Sequence, residues 1–343
     1  MTECLPGIYE IKLTSDQGTT RQIQIFLIPG KAGERSLMID TGYRKKNCLS
    51  IMEHALETLG IEYSQLDIFL THKHYDHTGL ASFYESQGAR LFMNEEENRH
   101  PYDCLYYNHD QGDGEDQYQV LRSVGVTPEE TPEIWGMFME IRRRVESNRG
   151  WEYEVQPFAC FPVQPAQEFC YGDYSFQAVP LKGHTYGQMG LFDSDKRVLF
   201  SGDQIIDGIV PIVGTTYPDE HLLQAYFESL SRLKHEYGDC LLFPAHGGSI
   251  REVRRIADRI IFSYLDKTDM IKRILDNSRR EMTVREIGCT AYGMRDIPED
   301  TAEFVKLKMV MSKTFSCLEY LVDQDFVIRT EKEGILYWKS VLL

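Results

Sequence analysis

The sequence predicts a mixed α/β protein with a helical insertion and a C-terminal α+β segment, and three observations support this. Short apolar runs with the period of strands alternate with stretches of helical period through residues 7–93, and again through 169–246. Between them, residues 94–165 lose the strand pattern and become helical. After residue 248 a long charged helical stretch leads into a further helix and a hairpin. The chain has 343 residues, 42% of them hydrophobic, which suffices for one large domain and a smaller second one.

The first forty residues read as a meander. Gly7 to Leu13 alternates at period two, Asp16-Gln17-Gly18 turns the chain, and Gln22 to Ile28 returns until Pro29-Gly30 stops it. Ser36 to Ile39 is a third strand, closed by Asp40-Thr41-Gly42. Cys48 to Leu59 has helical spacing with Gly60 as its stop. Ser64 to Leu70 then leads into His72-Lys73-His74-Tyr75-Asp76-His77, three imidazoles and a carboxylate within six residues. Side chains alternate along an extended chain, so His72, His74 and Asp76 leave on one side while the following turn swings His77 round. Such a density of nitrogen and carboxylate donors asks for a metal, and the cluster can hold two cations.

Thr78 to Gln87 reads as a helix ended by Gly88, and Ala89 to Met93 as a short strand. The insertion opens with Glu95-Glu96-Glu97 and becomes helical from Glu133 to Arg149, with Ile134, Trp135, Phe138, Ile141 and Val145 as its apolar positions. Strands return from Phe169. Tyr174 to Val179 leads to Gly183-His184-Thr185, and Gln188 to Phe192 pairs with Arg197 to Phe200, which closes at Ser201-Gly202-Asp203. After a helix from Asp219 to Tyr237, Leu241-Leu242-Phe243 closes at Ala245-His246-Gly247. A lone histidine is usually surface or hydrogen-bonded core. Here four chemistry-bearing turns follow four apolar strands. The C-terminal segment has a helix from Ser249 to Arg280, a cap at Thr283, a helix from Ala302 to Asp323, and a hairpin of Phe326 to Thr330 with Ile335 to Trp338.

The unbroken His-x-His-x-Asp-His at 72–77, with His184, Asp203 and His246 in order behind it, resembles the metallo-β-lactamase-fold hydrolases. The resemblance implies an αββα sandwich. It assigns residues 1–248 to a metallo-β-lactamase-like catalytic domain with 94–165 inserted, and 249–343 to a helical linker and a winged-helix-like α+β domain. It also implies a ligand set. His72, His74 and His184 would hold one divalent ion, Asp76, His77 and His246 a second, and Asp203 would bridge both. Zinc is the first expectation, with iron or manganese as alternatives. A shared hydroxide would attack a carbonyl, with Asp76 orienting it as the catalytic carboxylate. Asp40 lies where the family has a carboxylate behind the ligands, a role weighed against that of a simple turn aspartate. Aspartate at 203 is similar to the glyoxalase II-like branch, whereas Gln188 replaces a second histidine that many relatives carry.

An insertion at this point in the family commonly covers the metal pocket, so Tyr102, Tyr106, Tyr107 and Trp135 are expected to form a lid or wall that binds an organic substrate. The same aromatics equally fit the insertion's own core or a contact in a homodimer. The expected reaction is hydrolysis of an ester, thioester or lactone of a small molecule. Alternatives are a phosphodiesterase or endoribonuclease of the same fold, and a winged-helix ligand sensor without turnover.

Charge separates these readings. The net charge is −16, and residues 251–343 hold 17 basic and 16 acidic side chains, leaving 20 basic against 37 acidic in residues 1–250. The metal-bearing part is the acidic part, which counts against nucleic acid and anionic membranes as partners. Lys306, Lys308 and Lys313 are sparse for a recognition helix, and the wing carries Glu331 and Glu333. The N-terminus has neither the basic start nor the apolar run of a secretory signal, and the eight cysteines include no C-x-x-C pair. Reduced thiols and a cytoplasmic location are therefore expected.

Overall fold

A computed structural model describes residues 1–15, 22–98, 115–147, 150–151 and 157–341. These fall into two compact units, one formed within 1–99, 150–211 and 228–258, the other within 100–149, 212–227 and 259–343.

The first unit is a two-sheet sandwich. Its first sheet takes the strands in chain order: β1 (Thr2–Leu5), β2 (Ile8–Thr14), β3 (Gln22–Ile28) and β4 (Ser36–Ile39), then after helix α1 (Lys46–Leu59) β5 (Leu66–Phe69), after α2 (Tyr75–Thr78) and α3 (Ala81–Ser86) β6 (Arg90–Met93), and finally, beyond α4 (Glu115–Ser123) and α5 (Pro132–Ser147), β7 (Phe161–Pro162). The early strands are antiparallel, whereas β4, β5, β6 and β7 run parallel, as helical crossovers require. The second sheet comprises β8 (Glu168–Tyr171), β9 (Tyr174–Pro180), β10 (Met189–Asp193), β11 (Val198–Gly202) and, after α6 (Leu222–Glu236), β12 (Leu241–Pro244), in the order β12-β11-β10-β9-β8.

Period-two alternation sorts the first sheet's side chains to two faces. Ile11, Leu13, Ile25, Leu27, Met38 and Ile68 pack with Met52, Leu56 and Tyr84 from α1 and α3. Phe26, Ile28, Leu37, Ile39 and Phe69 face the other way and meet Phe169, Phe176, Phe200 and Phe243 of the second sheet. Phe26 packs against Phe200 and Phe243 with ring centroids 4.9 and 5.5 Å apart. Both faces of the central strands are thus buried, so β3, β4 and β5 read as near-continuous apolar runs while β2 alternates.

In the second unit α7 (Val253–Ser278, which begins in the first) leads to β13 (Met282–Thr283), α8 (Val284–Tyr292), α9 (Thr301–Asp323), β14 (Val327–Lys332) and β15 (Ile335–Ser340). The strands form a sheet in the order β13-β15-β14. Thr283 and Glu286 form a reciprocal capping box at the start of α8, and Glu333 and Gly334, both at positive φ, turn the hairpin.

Among the boundaries that differ from the sequence reading, three have a local reason. The helix expected over Thr78–Gln87 is split at Leu80, which leaves helical geometry with φ −99° and ψ 4°. Helix α6 starts at Leu222 rather than Asp219, because Asp219 and His221 hold φ of 67° and 51°. Helix α7 starts at Val253 because Ile250 still pairs with Leu242. Every described cysteine is free, and no helix among the described residues is long and apolar enough to cross a membrane.

Candidate metal centre

Parallel pairing of β4 with β5 brings their C-terminal ends to one edge of the first sheet, so Asp40 and His72 emerge side by side. In the second sheet β11 runs parallel to β12, and β9 is antiparallel to β10, which is antiparallel to β11. The C-terminal ends of β9, β11 and β12 therefore share an edge, and from it come His184, Asp203 and His246. The short helix α2 supplies Asp76 and His77. At the sheet edges the Gln24 backbone N–H donates to Ala245 O at 2.7 Å, joining β3 to the segment that carries His246.

All seven residues expected as ligands converge. His74 Nδ1 lies 2.9 Å from His72 Nε2 and 3.0 Å from His184 Nε2, so three imidazole nitrogens point at one spot. Beside them His246 Nε2 is 3.3 Å from Asp76 Oδ2, and His77 Nε2 is 3.8 Å from Asp76 Oδ1. The Asp203 carboxylate sits between the two sets, with Oδ1 3.6 Å from His77 Nε2 and Oδ2 3.7 and 3.5 Å from His184 and His246. His72, His74 and His184 form one compact donor group, Asp76, His77 and His246 another, and His72, His77 and Asp203 a third.

The outer nitrogens fix the tautomers. The Asp40 carboxylate lies 2.7 Å from His77 Nδ1 and also accepts from the Thr71 backbone N–H at 2.8 Å. His246 Nδ1 donates to Gln22 O at 2.5 Å, and Thr71 Oγ1 is 3.0 Å from His72 Nδ1. With Nδ1 engaged, Nε2 of His72, His77 and His246 faces the cluster.

Burial and charge then decide protonation. Burial and the surrounding imidazoles hold His72 well below the ordinary histidine value. Burial also opposes charge on His77, but Asp40, Asp203 and Asp76 outweigh it and raise that imidazole well above the ordinary value. The same contest raises His246 to about 9, with Asp203 and Asp76 prevailing. Although burial disfavours their ionisation, Asp76 and Asp203 are held below the ordinary carboxylate range by these histidines.

The donor set fits divalent cations. His77 Nε2, His246 Nε2 and Asp203 Oδ1 are buried polar atoms without a hydrogen-bond partner, a costly arrangement that a shared cation would relieve. Imidazole nitrogens with carboxylate oxygens suit zinc, iron and manganese.

The expected substrate contacts fare differently. Tyr102, Tyr106 and Tyr107 lie outside the described residues. Trp135, half-buried on α5 in the second unit, packs against Tyr118 and Phe138 at centroid distances of 5.2 and 5.6 Å. Gln188 is fully buried and donates to Gln204 Oε1 at 3.0 Å. Sequence reasoning missed two residues close to the centre. Thr71 was legible only as the residue before the motif. Glu97 stands in the acidic run that opens the insertion, yet it is 2% exposed and bonded to two histidine-bearing loops.

The family model described as Metallo-beta-lactamase superfamily matches residues 18–246. Among solved structures, a metallo-beta-lactamase family protein from Thermus thermophilus is similar at 22% identity and a TM-score of 0.76, over 98% of this chain and 99% of that one. A beta-lactamase domain protein from Burkholderia ambifaria is similar at 18% identity and a TM-score of 0.78, over 99% of this chain and 94% of that one. At such identities the likeness concerns the fold, and it extends through the C-terminal segment. The curated proteins offer no match to the sequence.

Proposed function

The chain belongs to the metallo-beta-lactamase superfamily, generally metal-dependent hydrolases, and on that premise we propose a dinuclear hydrolase of esters, thioesters or lactones of small organic molecules. The observation that carries this reading is the convergence of seven donors, most of them buried, with three unpartnered atoms among them. His72, His74 and His184 would hold one divalent ion, and Asp76, His77 and His246 the other, with Asp203 shared. Zinc is preferred, with iron or manganese as alternatives. When bound, the ions supply Lewis acidity and lower the pKa of water toward about 7.

The chain's own groups shape the rest. Asp76 reaches toward His77 with one oxygen and His246 with the other, and it would accept a hydrogen bond from the attacking water. Water adds to the carbonyl carbon, the carbon–oxygen or carbon–sulfur bond breaks, and the leaving group departs with a proton. Asp40 keeps His77 in the tautomer that presents Nε2.

Asp203, rather than cysteine, supports placement near the glyoxalase II-like branch. The order β13-β15-β14 beside α8 and α9 supports a winged-helix-like C-terminal unit. We assign that unit no role in reading nucleic acid, since Lys308 on α9 is buried and half of that helix is core.

Turnover of matched thioester, lactone and phosphodiester substrates by metal-replete protein tests the proposal, with Asp203→Ala as control. Carbonyl-ester turnover that disappears in the variant is expected. Turnover of phosphodiester alone would replace this reading with the nuclease one.

A further inference from the structure

The two halves of the centre are braced by different carboxylates. Asp40 serves the half containing His77, whereas the other half has a brace in the loop after β6. Glu97 stands in the turn Glu95–Asn98 and is 2% exposed. Its Oε2 accepts from the Lys73 backbone N–H at 2.8 Å, between His72 and His74. Its Oε1 accepts from Thr185 Oγ1 and from the Gly187 backbone N–H, both at 2.6 Å, just beyond His184. One buried carboxylate thus spans the two loops that bring His74 Nδ1 within 3.0 Å of His184 Nε2. Asn94 reinforces the junction by donating through Nδ2 to Gly187 O at 2.8 Å. The fit is close on the other side too, since a Cβ at Gly187 would lie 2.7 Å from the Glu97 backbone nitrogen.

Charge-assisted hydrogen bonds of this length are stronger than neutral ones, and a carboxylate that accepts three of them holds its donors in fixed relation. Residues 73 and 185 are remote in the chain, so the tie is a tertiary one, and beside it the Met189 backbone N–H donates to Thr71 O at 2.9 Å. The geometry points to Glu97 as the positioning residue of the His72–His74–His184 half, the clamp that sets its ion affinity without touching the ion. This inference rests on the dinuclear reading above and adds a division of labour to it. Asp40 contacts His77 directly and reaches His72 only through Thr71, whereas Glu97 ties the loops of His74 and His184.

The test is metal binding by the full chain, measured by competition with a chromogenic chelator for zinc and by the visible absorption of the cobalt(II) form. Wild type should take up two equivalents. Glu97→Ala should keep one at wild-type affinity and weaken the other by about 10- to 100-fold, the usual cost of losing a residue behind a ligand. Its cobalt spectrum should lose the contribution of one site. Glu97→Gln keeps one acceptor oxygen and so one of the two ties, and should fall between, which also covers failure of the alanine variant to fold.

Two tight equivalents in both variants would overturn the clamp. Equal weakening of both equivalents would overturn it as well, because Glu97 would then support the whole fold and not one half. A wild-type protein that binds no metal would overturn the dinuclear reading itself, and the two failures are therefore distinguishable.

Discussion

Asp40 and His77 meet through a 2.7 Å contact between Oδ2 and Nδ1, made from a backbone position that few residues tolerate. Asp40 holds φ at 60°, in the left-handed region open to Asp and Asn at small cost. Asp40→Asn therefore isolates the charge from the backbone. Its amide nitrogen must face either the Thr71 N–H or the His77 N–H, and one donor loses its acceptor. We expect metal affinity to fall by about 10- to 100-fold and the metal-free protein to lose about 1–3 kcal/mol, the cost of a buried donor left without an acceptor. Asp40→Ala should lose affinity too and about 1 kcal/mol or more of further stability, since alanine is strained there. Chelator competition and thermal melting separate the two effects.

Gly202 precedes Asp203 and has φ at 52°, and a Cβ added there would lie only 2.9 Å from Thr71 Oγ1. Gly202→Ala should cost about 1–2 kcal/mol from left-handed strain alone. The methyl group must also displace Thr71, which contacts both Asp40 and His72. Both stability and metal uptake should decline, as read by urea unfolding and by metal analysis after dialysis. Unchanged metal uptake would mean that the Thr71 contacts do not orient the ligands.

Asp67 gathers Arg35 Nε at 2.6 Å, Arg90 Nε at 2.7 Å and the Tyr171 hydroxyl at 2.6 Å on a carboxylate that is fully buried. These partners join β5 to its neighbour β6 and to β8 of the opposite sheet. Asp67→Ala should cost about 3 kcal/mol, the lower end for breaking a buried pair, because much of the Arg90 side chain reaches solvent. Urea denaturation measures the loss directly. A cost below about 1 kcal/mol would show that the arginines find water at no penalty.

The candidate donors could be read from the sequence, and their grouping from the family resemblance, because the chemistry is local at both scales that matter. His72 to His77 fall within six residues, and His184, Asp203 and His246 each close an apolar strand. A strand ending in a polar, metal-ligating residue shows itself through its neighbours. Glu97 does not, because its partners lie 24, 88 and 90 residues away and it closes a run of three glutamates. Trp135 illustrates the opposite difficulty. An aromatic at helical spacing looks the same whether it lines a pocket or packs on Tyr118 and Phe138. The mixed α/β character followed from alternating apolar strands and the sandwich from the family resemblance, but the starts of α6 and α7 depended on backbone angles and one bridge that no composition reveals.

Glu319 on α9 offers a pH test within the second unit. Burial raises its carboxyl from the ordinary 4.5 to about 7, and the nearby Glu220 adds to this. The Asp219 backbone N–H donates to Oε1 at 2.5 Å, and with His221 and Arg329 it limits the rise. A carboxyl raised on folding binds more protons in the folded than in the unfolded state between these two values. Its contribution to stability is therefore intact below about pH 4.5, falls as pH climbs to about 7, and stays lost above that. The loss is on the order of 3 kcal/mol. Glu319→Gln keeps an acceptor for the Asp219 N–H and can donate to Thr215 Oγ1, which now donates to Oε2 at 3.3 Å. Denaturation at pH 5 and pH 8 should show the variant gaining on wild type at the higher pH. If both proteins respond to pH alike, Glu319 is ionised in the fold at no net cost, and the pH dependence belongs to other groups.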